Sequence, residues 1–257
     1  MRAVSVHPDA LVVTSAMWQT NAIVLRAGGE TMLVDSPYFP HELEALPQVL
    51  ASAGFEPDAL IATHADFDHV LGRVAFPGLA LGLGESSVER IHREPGGAQR
   101  DLRDFDATLY VERPGPLGLG QVQSLPVPGS VELGDQELEL HPAEGHTADG
   151  MAIFARWCGV LCLGDYISKV EIPWISASGS AADYRATLVR LGPLVEAAEA
   201  IVPGHGPHHD RDTARRLLEE DVEYLEALGR DGSRAQLPKG RDTKAQRQIH
   251  AENVGRV

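Results

Sequence analysis

The stretch Thr63-His64-Ala65-Asp66-Phe67-Asp68-His69 constrains this chain more than any other. Four side chains able to ligate a metal, His64, Asp66, Asp68 and His69, fall within six residues, directly after the apolar run Ala59-Leu60-Ile61-Ala62. A short apolar run closed by polar residues reads as a buried strand ending at a sheet edge. In open α/β sheets, ligands bind beyond the carboxyl ends of strands, where a loop turns several side chains toward one point. Similar polar residues follow later apolar runs: His146 in Glu144-Gly145-His146-Thr147, Asp165 after Gly164, and His205 in Pro203-Gly204-His205-Gly206. Together these are four imidazoles and three carboxylates, the nitrogen and oxygen ligand set of a dinuclear divalent metal site. Neutral imidazole and ionised carboxylate are both ready to bind at neutral pH, so no thiolate is needed.

The rest of the chain reads as alternating strands and helices. Leu11-Val12-Val13, residues 21–25 and residues 31–34 predict a β-meander, with Gly28-Gly29 turning the last two. Residues 41–53, 85–92, 181–200 and 213–228 carry helical periodicity, and a further helix is predicted from about His69. Residues 79–82, 131–141, 151–155, 160–163 and 201–202 are strand-like, with Gly134-Asp135 as a hairpin turn. Residues 93–120, bracketed by Pro95-Gly96-Gly97 and Pro114-Gly115-Pro116, look irregular and read as an insertion or flap. One main domain over 1–229 is expected, followed by a basic, loosely packed tail over 230–257 with a short helix near 245–254.

The 26 glycines and 17 prolines exceed the roughly 31 expected from average usage, which favours a loop-rich fold over a helical bundle. A formal charge of −15 argues against a wide polyanion-binding surface, so no nucleic-acid partner is expected. Cys158 and Cys162 lie four apart in a strand-like run and read as buried thiols on one face. No apolar run nears the ~18 residues that span a bilayer, and no basic segment precedes a long apolar core at the N-terminus. A cytoplasmic protein without membrane partners is the expectation, as a monomer or a homodimer.

The ligand order resembles the metallo-β-lactamase superfamily, over roughly residues 10–228. His64 fits the first position of that family's His-x-His-x-Asp-His loop, Asp68 and His69 its Asp-His pair, and His146, Asp165 and His205 its later ligands. Asn21 and the Val34-Asp35-Ser36 turn look like the family's N-terminal strands. The resemblance implies an α/β fold, a four-layer αββα sandwich of two mixed β-sheets with helices on the outer faces. One position departs: Asp66 stands where the common motif has its second His. The flavodiiron branch also carries a carboxylate there and holds iron, but this chain has no room for that branch's flavin-binding domain. Two divalent cations, the carboxylates of Asp66, Asp68 and Asp165, and one bridging hydroxide sum to zero formal charge, where a His at 66 would leave +1. By that count Asp66 should favour harder metals.

These readings converge on a metal-dependent hydrolase of a small ester, thioester or lactone, with a hydroxide bridging two divalent ions as nucleophile. Zinc is the first expectation, iron or manganese the next. Asp68 and Asp165 are the candidate catalytic carboxylates, and Tyr38, Phe39, Tyr166, Trp174 and His208 are candidates to wall the substrate pocket. The alternative is an iron-dependent oxidoreductase acting on a sulfur compound or oxygen.

Overall fold

Strands that are apolar on both faces need a layer on each side, and this chain supplies both layers. The computed structural model describes residues 1–257. A seven-stranded sheet runs in chain order through β1 (Arg2–His7), β2 (Ala10–Thr14), β3 (Asn21–Ala27), β4 (Glu30–Asp35), β5 (Ala59–Ile61), β6 (Ala80–Gly84) and β7 (Val122–Leu125). Its first four strands pair antiparallel and its last four parallel. A five-stranded sheet is built from β8 (Gly129–Leu133), β9 (Gln136–Pro142), β10 (Met151–Ala155), β11 (Val160–Cys162) and β12 (Ala200–Val202), ordered β12-β11-β10-β9-β8. Only the β11–β12 pair in it is parallel.

The side-chain alternation of the strands sorts the core into three layers. Val12, Ile23, Leu25, Val34 and Ile61 of the first sheet meet Leu138, Leu140, Ile153 and Val202 of the second. Cys158 and Cys162 are unpaired, buried thiols in this middle layer. The opposite faces of β2 and β3, through Leu11, Val13, Ala22 and Val24, pack under α1 (Pro40–Ser52), α2 (Phe67–Val70), α3 (Gly72–Ala75), α4 (Glu85–Arg93) and α5 (Gly97–Leu109). Beyond the second sheet, Phe154, Leu161 and Ile201 pack under α6 (Ala181–Ala197), α7 (Arg211–Asp231) and α8 (Lys244–Val254). Ser180 and Asp210 start α6 and α7 by accepting from the Asp183 and Thr213 amides. The result is the expected αββα sandwich. No helix is long and apolar enough to cross a membrane.

Four features depart from the sequence reading. β1 and β7 are edge strands with few buried side chains, so neither carries a strong apolar pattern. The predicted helix after His69 is two single turns, α2 and α3. Residues 97–109 form a regular helix, whose Ala98, Leu102 and Phe105 make an apolar stripe hidden among acidic residues and flanking glycines. The tail is packed firmly, through polar side chains. Asn253 and Gln246 accept from the Ile175 and Ile172 amides at 2.9 and 2.7 Å, and so satisfy a loop that lacks regular structure. Arg241, 2 % exposed, donates to the Ser168 and Glu171 carbonyls and to Asp221 Oδ1 at 2.5 Å.

Burial pushes the Asp221 carboxyl up to about 7 against the opposing charge of Arg241. Arg241→Met leaves that carboxylate uncompensated and should cost about 3–5 kcal/mol in urea unfolding. The loss should be smaller at pH 5 than at pH 8. A buried acid with a raised folded pKa binds its proton in the folded state, so its destabilising effect grows as pH rises toward that pKa. An equal loss at both values would place the damage elsewhere.

Candidate metal centre

Parallel pairing puts the carboxyl ends of β4 and β5 at one edge of the first sheet, and those of β11 and β12 at the facing edge of the second. The polar loops that follow these strands therefore meet. Cross-sheet hydrogen bonds hold them: the Met151 amide donates to the Thr63 carbonyl at 2.8 Å, and the Asn21 amide to the Gly204 carbonyl at 2.8 Å. The Asn21 side chain donates to the Pro203 and Gly206 carbonyls, clamping both sides of His205. A Cβ on Gly204 would overlap Asp165 Oδ1, so glycine is required there for close approach.

All seven expected ligands converge, as two triads with Asp165 between them. Asp66 Oδ2 lies 3.4 Å from His146 Nε2 and 3.7 Å from His64 Nε2. Asp68 Oδ2 lies 3.4 Å from His205 Nε2 and 3.7 Å from His69 Nε2. Asp165 divides its oxygens between them. Its Oδ2 is 3.3 Å from His146 Nε2, and its Oδ1 is 3.1 Å from His69 Nε2 and 3.3 Å from His205 Nε2. Two ligands each ~2.1 Å from a tetrahedral cation stand ~3.4 Å apart, so both triads are spaced for one.

Every imidazole turns its Nε2 inward because its Nδ1 is held from behind. His69 Nδ1 is 2.9 Å from Asp35 Oδ2, and His146 Nδ1 is 2.8 Å from the Trp174 carbonyl. His64 Nδ1 faces Thr63 Oγ1 at 3.1 Å, and His205 Nδ1 faces Thr20 Oγ1 at 3.3 Å. Thr63 Oγ1 in turn donates to Asp35, which turns at φ +56° to close β4 and also accepts from the Thr63 amide. Such partners fix the tautomer that leaves Nε2 a free lone pair.

The centre is short of positive charge. Burial alone would neutralise its acids and bases, yet the anions lift His146 to about 9 and His205 to about 10. Against the same burial, the imidazoles hold the Asp66 and Asp165 carboxyls well below the usual range. His64 Nε2, His69 Nε2, His146 Nε2 and Asp165 Oδ1 are buried with no hydrogen-bond partner. Buried polar atoms are seldom left so. A divalent cation in each triad would satisfy all four, and the donor set fits zinc, iron or manganese.

Arg90 was invisible as a site residue in the sequence, where it is one charge on an ordinary helix. Its Nη1 lies 2.7 Å from Asp66 Oδ1 and 2.9 Å from Asp149 Oδ1. Asp149 also accepts from the Ala65 amide and Ser87, so it anchors the loop that carries the ligands. Arg90 therefore pairs the carboxylate that Asp66 adds, but shares its charge with Asp149, so the count with both groups included stays at zero.

Of the expected pocket residues, only Trp174 lines the cavity next to the centre, its ring centroid 5.2 Å from that of His146. Tyr38 is wholly buried, and its hydroxyl donates to Asp106. Phe39 packs on His41 at the start of α1. The Tyr166 hydroxyl accepts from the His146 amide and donates to the Ala143 carbonyl, both at 3.1 Å, so it ties the His146 loop to the end of β9 and lies outside this cavity lining. His208 is half-buried away from the cavity lining. The walls come instead from Trp18, Phe67, Phe105, Glu171 and Ile249. Phe67 sat inside the ligand motif itself; the others follow no local signal.

Comparison with known proteins gives a concordant picture. A family model described as the metallo-beta-lactamase superfamily matches residues 16–205. No curated protein matches the chain. Among solved structures, a metallo-beta-lactamase family protein, TTHA1429, from Thermus thermophilus aligns with TM-score 0.70 and 20 % identity, over 98 % of this chain and 94 % of that one. A metallo-beta-lactamase from Pontibacter korlensis aligns with TM-score 0.64 and 16 % identity, over 88 % and 98 %. TTHA1623, solved in a di-iron-bound form, aligns with TM-score 0.63 and 22 % identity, over 80 % and 97 %. At these identities the solved structures speak to the fold.

A double-mutant cycle tests the Arg90–Asp66 pairing. Asp66→His and Arg90→Met should each destabilise the metal-free protein in urea. The double variant should lose about 1–3 kcal/mol less than the sum, because a His at 66 no longer needs the cation. Additive losses would show that Arg90 acts on Asp149 alone.

Proposed function

This chain belongs to the metallo-beta-lactamase superfamily, and from that membership we propose that it is a hydrolase of a small ester, thioester or lactone that works with two divalent metal ions. The observation that carries the reading is the pair of ligand triads sharing Asp165. His64, Asp66 and His146 would hold one ion, and Asp68, His69 and His205 the other, with one Asp165 oxygen toward each. When bound, such ions polarise a substrate carbonyl and lower the pKa of a water.

The chain's own groups do the rest. Asp68 lines both its triad and the substrate cavity, so we assign it to orient the attacking water and take its proton. Asp35, Thr63, Thr20 and the Trp174 carbonyl keep the imidazoles in register throughout turnover. The cavity of about 370 Å³ suits a compact acyl compound. β-Lactams remain one member of the test panel, because fold does not select a substrate.

An iron-dependent oxidoreductase is the second reading, favoured by Asp66 as a hard ligand and by the di-iron form of TTHA1623 on the same fold. Elemental analysis of the purified protein, followed by ester, thioester, lactone and β-lactam substrates, separates the two. Hydrolysis without oxygen uptake supports the first; iron content with oxygen uptake and no hydrolysis supports the second. His69→Ala and His205→Ala should each lower bound metal by about one ion per chain, since both serve the Asp68 triad. Full occupancy in either variant, measured by native mass spectrometry, contradicts the ligand set.

A further inference from the structure

The cavity beside the two triads is apolar and acidic at once. Trp18, Phe67, Phe105 and Trp174 supply its walls, with Ile249 of α8 closing one side. Trp18 and Phe105 pack with ring centroids 4.3 Å apart, and Phe67 lies 5.7 Å from Phe105. Trp18 and Trp174 are the two tryptophans among the exposed large apolar residues, and both face this space. Trp174 is set in place by its indole N–H, which donates to Glu252 Oε2 at 3.1 Å.

Outside the ligand set formed by Asp66, Asp68, Asp165 and His205, the charged groups of this lining are Glu171 and Glu252, and no Lys or Arg is among the lining residues. The nearest guanidinium groups are engaged elsewhere, Arg90 between Asp66 and Asp149, and Arg241 by Asp221 and Glu220. The Glu171 backbone is pinned, its amide donating to Ser168 Oγ at 3.2 Å and its carbonyl accepting from Arg241 at 2.9 Å. Its carboxylate is faced by no Lys or Arg, and the opposite charge it acts on is the His205 imidazole.

We infer that this cavity takes an acyl substrate with a flat apolar body and, at the end away from the ligand triads, a basic nitrogen, and discriminates against an anionic group at that end. The inference rests on the hydrolase reading for its chemistry, but on the cavity walls for its recognition. An anionic group at the end away from the triads would lose its water beside Glu171 and Glu252 with no donor fork to replace it. An ammonium there meets aromatic faces and carboxylates that no Lys or Arg offsets, the arrangement that favours organic cations. At about 370 Å³ the space holds a substituted phenyl ring with its ester, and little more.

Three phenyl esters differing only in the para group test this on the metal-loaded protein: trimethylammonium, its uncharged isostere tert-butyl, and carboxylate. With each kcat/KM divided by that ester's rate with hydroxide alone, which removes the leaving-group effect of the para substituent, the expected order is cation, neutral, anion, with steps of about tenfold. Glu171→Gln should reduce the cation-to-neutral ratio by about threefold or more. Calorimetric binding of phenethyltrimethylammonium to the parent and to Glu171→Gln gives a readout free of turnover. Weaker binding by the variant, with no ester, thioester, lactone or β-lactam cleaved by the parent, upholds the cavity inference and removes the hydrolase reading. Ester hydrolysis with equal rates on that corrected scale for the three, or with the carboxylate fastest, overturns the cavity inference and leaves the hydrolase reading intact.

Discussion

Asp165 is the residue on which the two halves of the molecule close. One of its oxygens faces His146 and the other faces His69 and His205. To bring that carboxylate between two triads, the carboxyl ends of strands from both sheets must meet at one edge. The Met151–Thr63 and Asn21–Gly204 hydrogen bonds fix how closely they do so. The middle layer of apolar side chains sets the separation of the sheets, and the cross-sheet bonds at the rim convert it into ligand spacings near 3.4 Å.

Such a cluster is costly to bury on its own terms. Lone pairs and anionic oxygens face one another without internal donors, and the imidazoles are driven toward protonation to offset the carboxylates. The surroundings hold the arrangement in place from outside. Asp35 and Thr63 pin His69 and His64, and the Trp174 carbonyl pins His146. Arg90 belongs to the same outer ring, since it binds the Asp66 oxygen that points away from the triad. The aspartate that departs from the common motif thus comes paired with a guanidinium, which it shares with Asp149.

The seven side chains that converge were legible as a group in the sequence because each follows an apolar strand, and strand ends on the same edge of a sheet must come together. The sandwich followed from the same alternation. What stayed hidden depends on contacts between distant segments. Arg90 reaches Asp66 across a helix and a loop, and nothing in its neighbours in sequence marks it. Tyr38 and Tyr166 looked like wall residues because tyrosines beside a site loop often are, yet buried partners claim both hydroxyls. The tail read as loose because its packing is polar: Arg241, Gln246 and Asn253 bond to loop backbone, which leaves no apolar period to detect. Helix α5 was masked in a related way, its three-residue apolar stripe set among Asp and Arg.

Through α8 that tail also contributes Ile249 and Glu252 to the cavity wall, so the end of the chain helps shape the space beside the ligands contributed by both sheets. The central claim is that those ligands hold two ions with Asp165 between them. Anomalous diffraction from crystals of the metal-loaded protein tests it most directly. Two peaks per chain are expected, one among His64, Asp66 and His146 and one among Asp68, His69 and His205, each within coordination distance of a different Asp165 oxygen. A single peak, or a pair in which Asp66 stays with Arg90 alone and touches no metal, would contradict it.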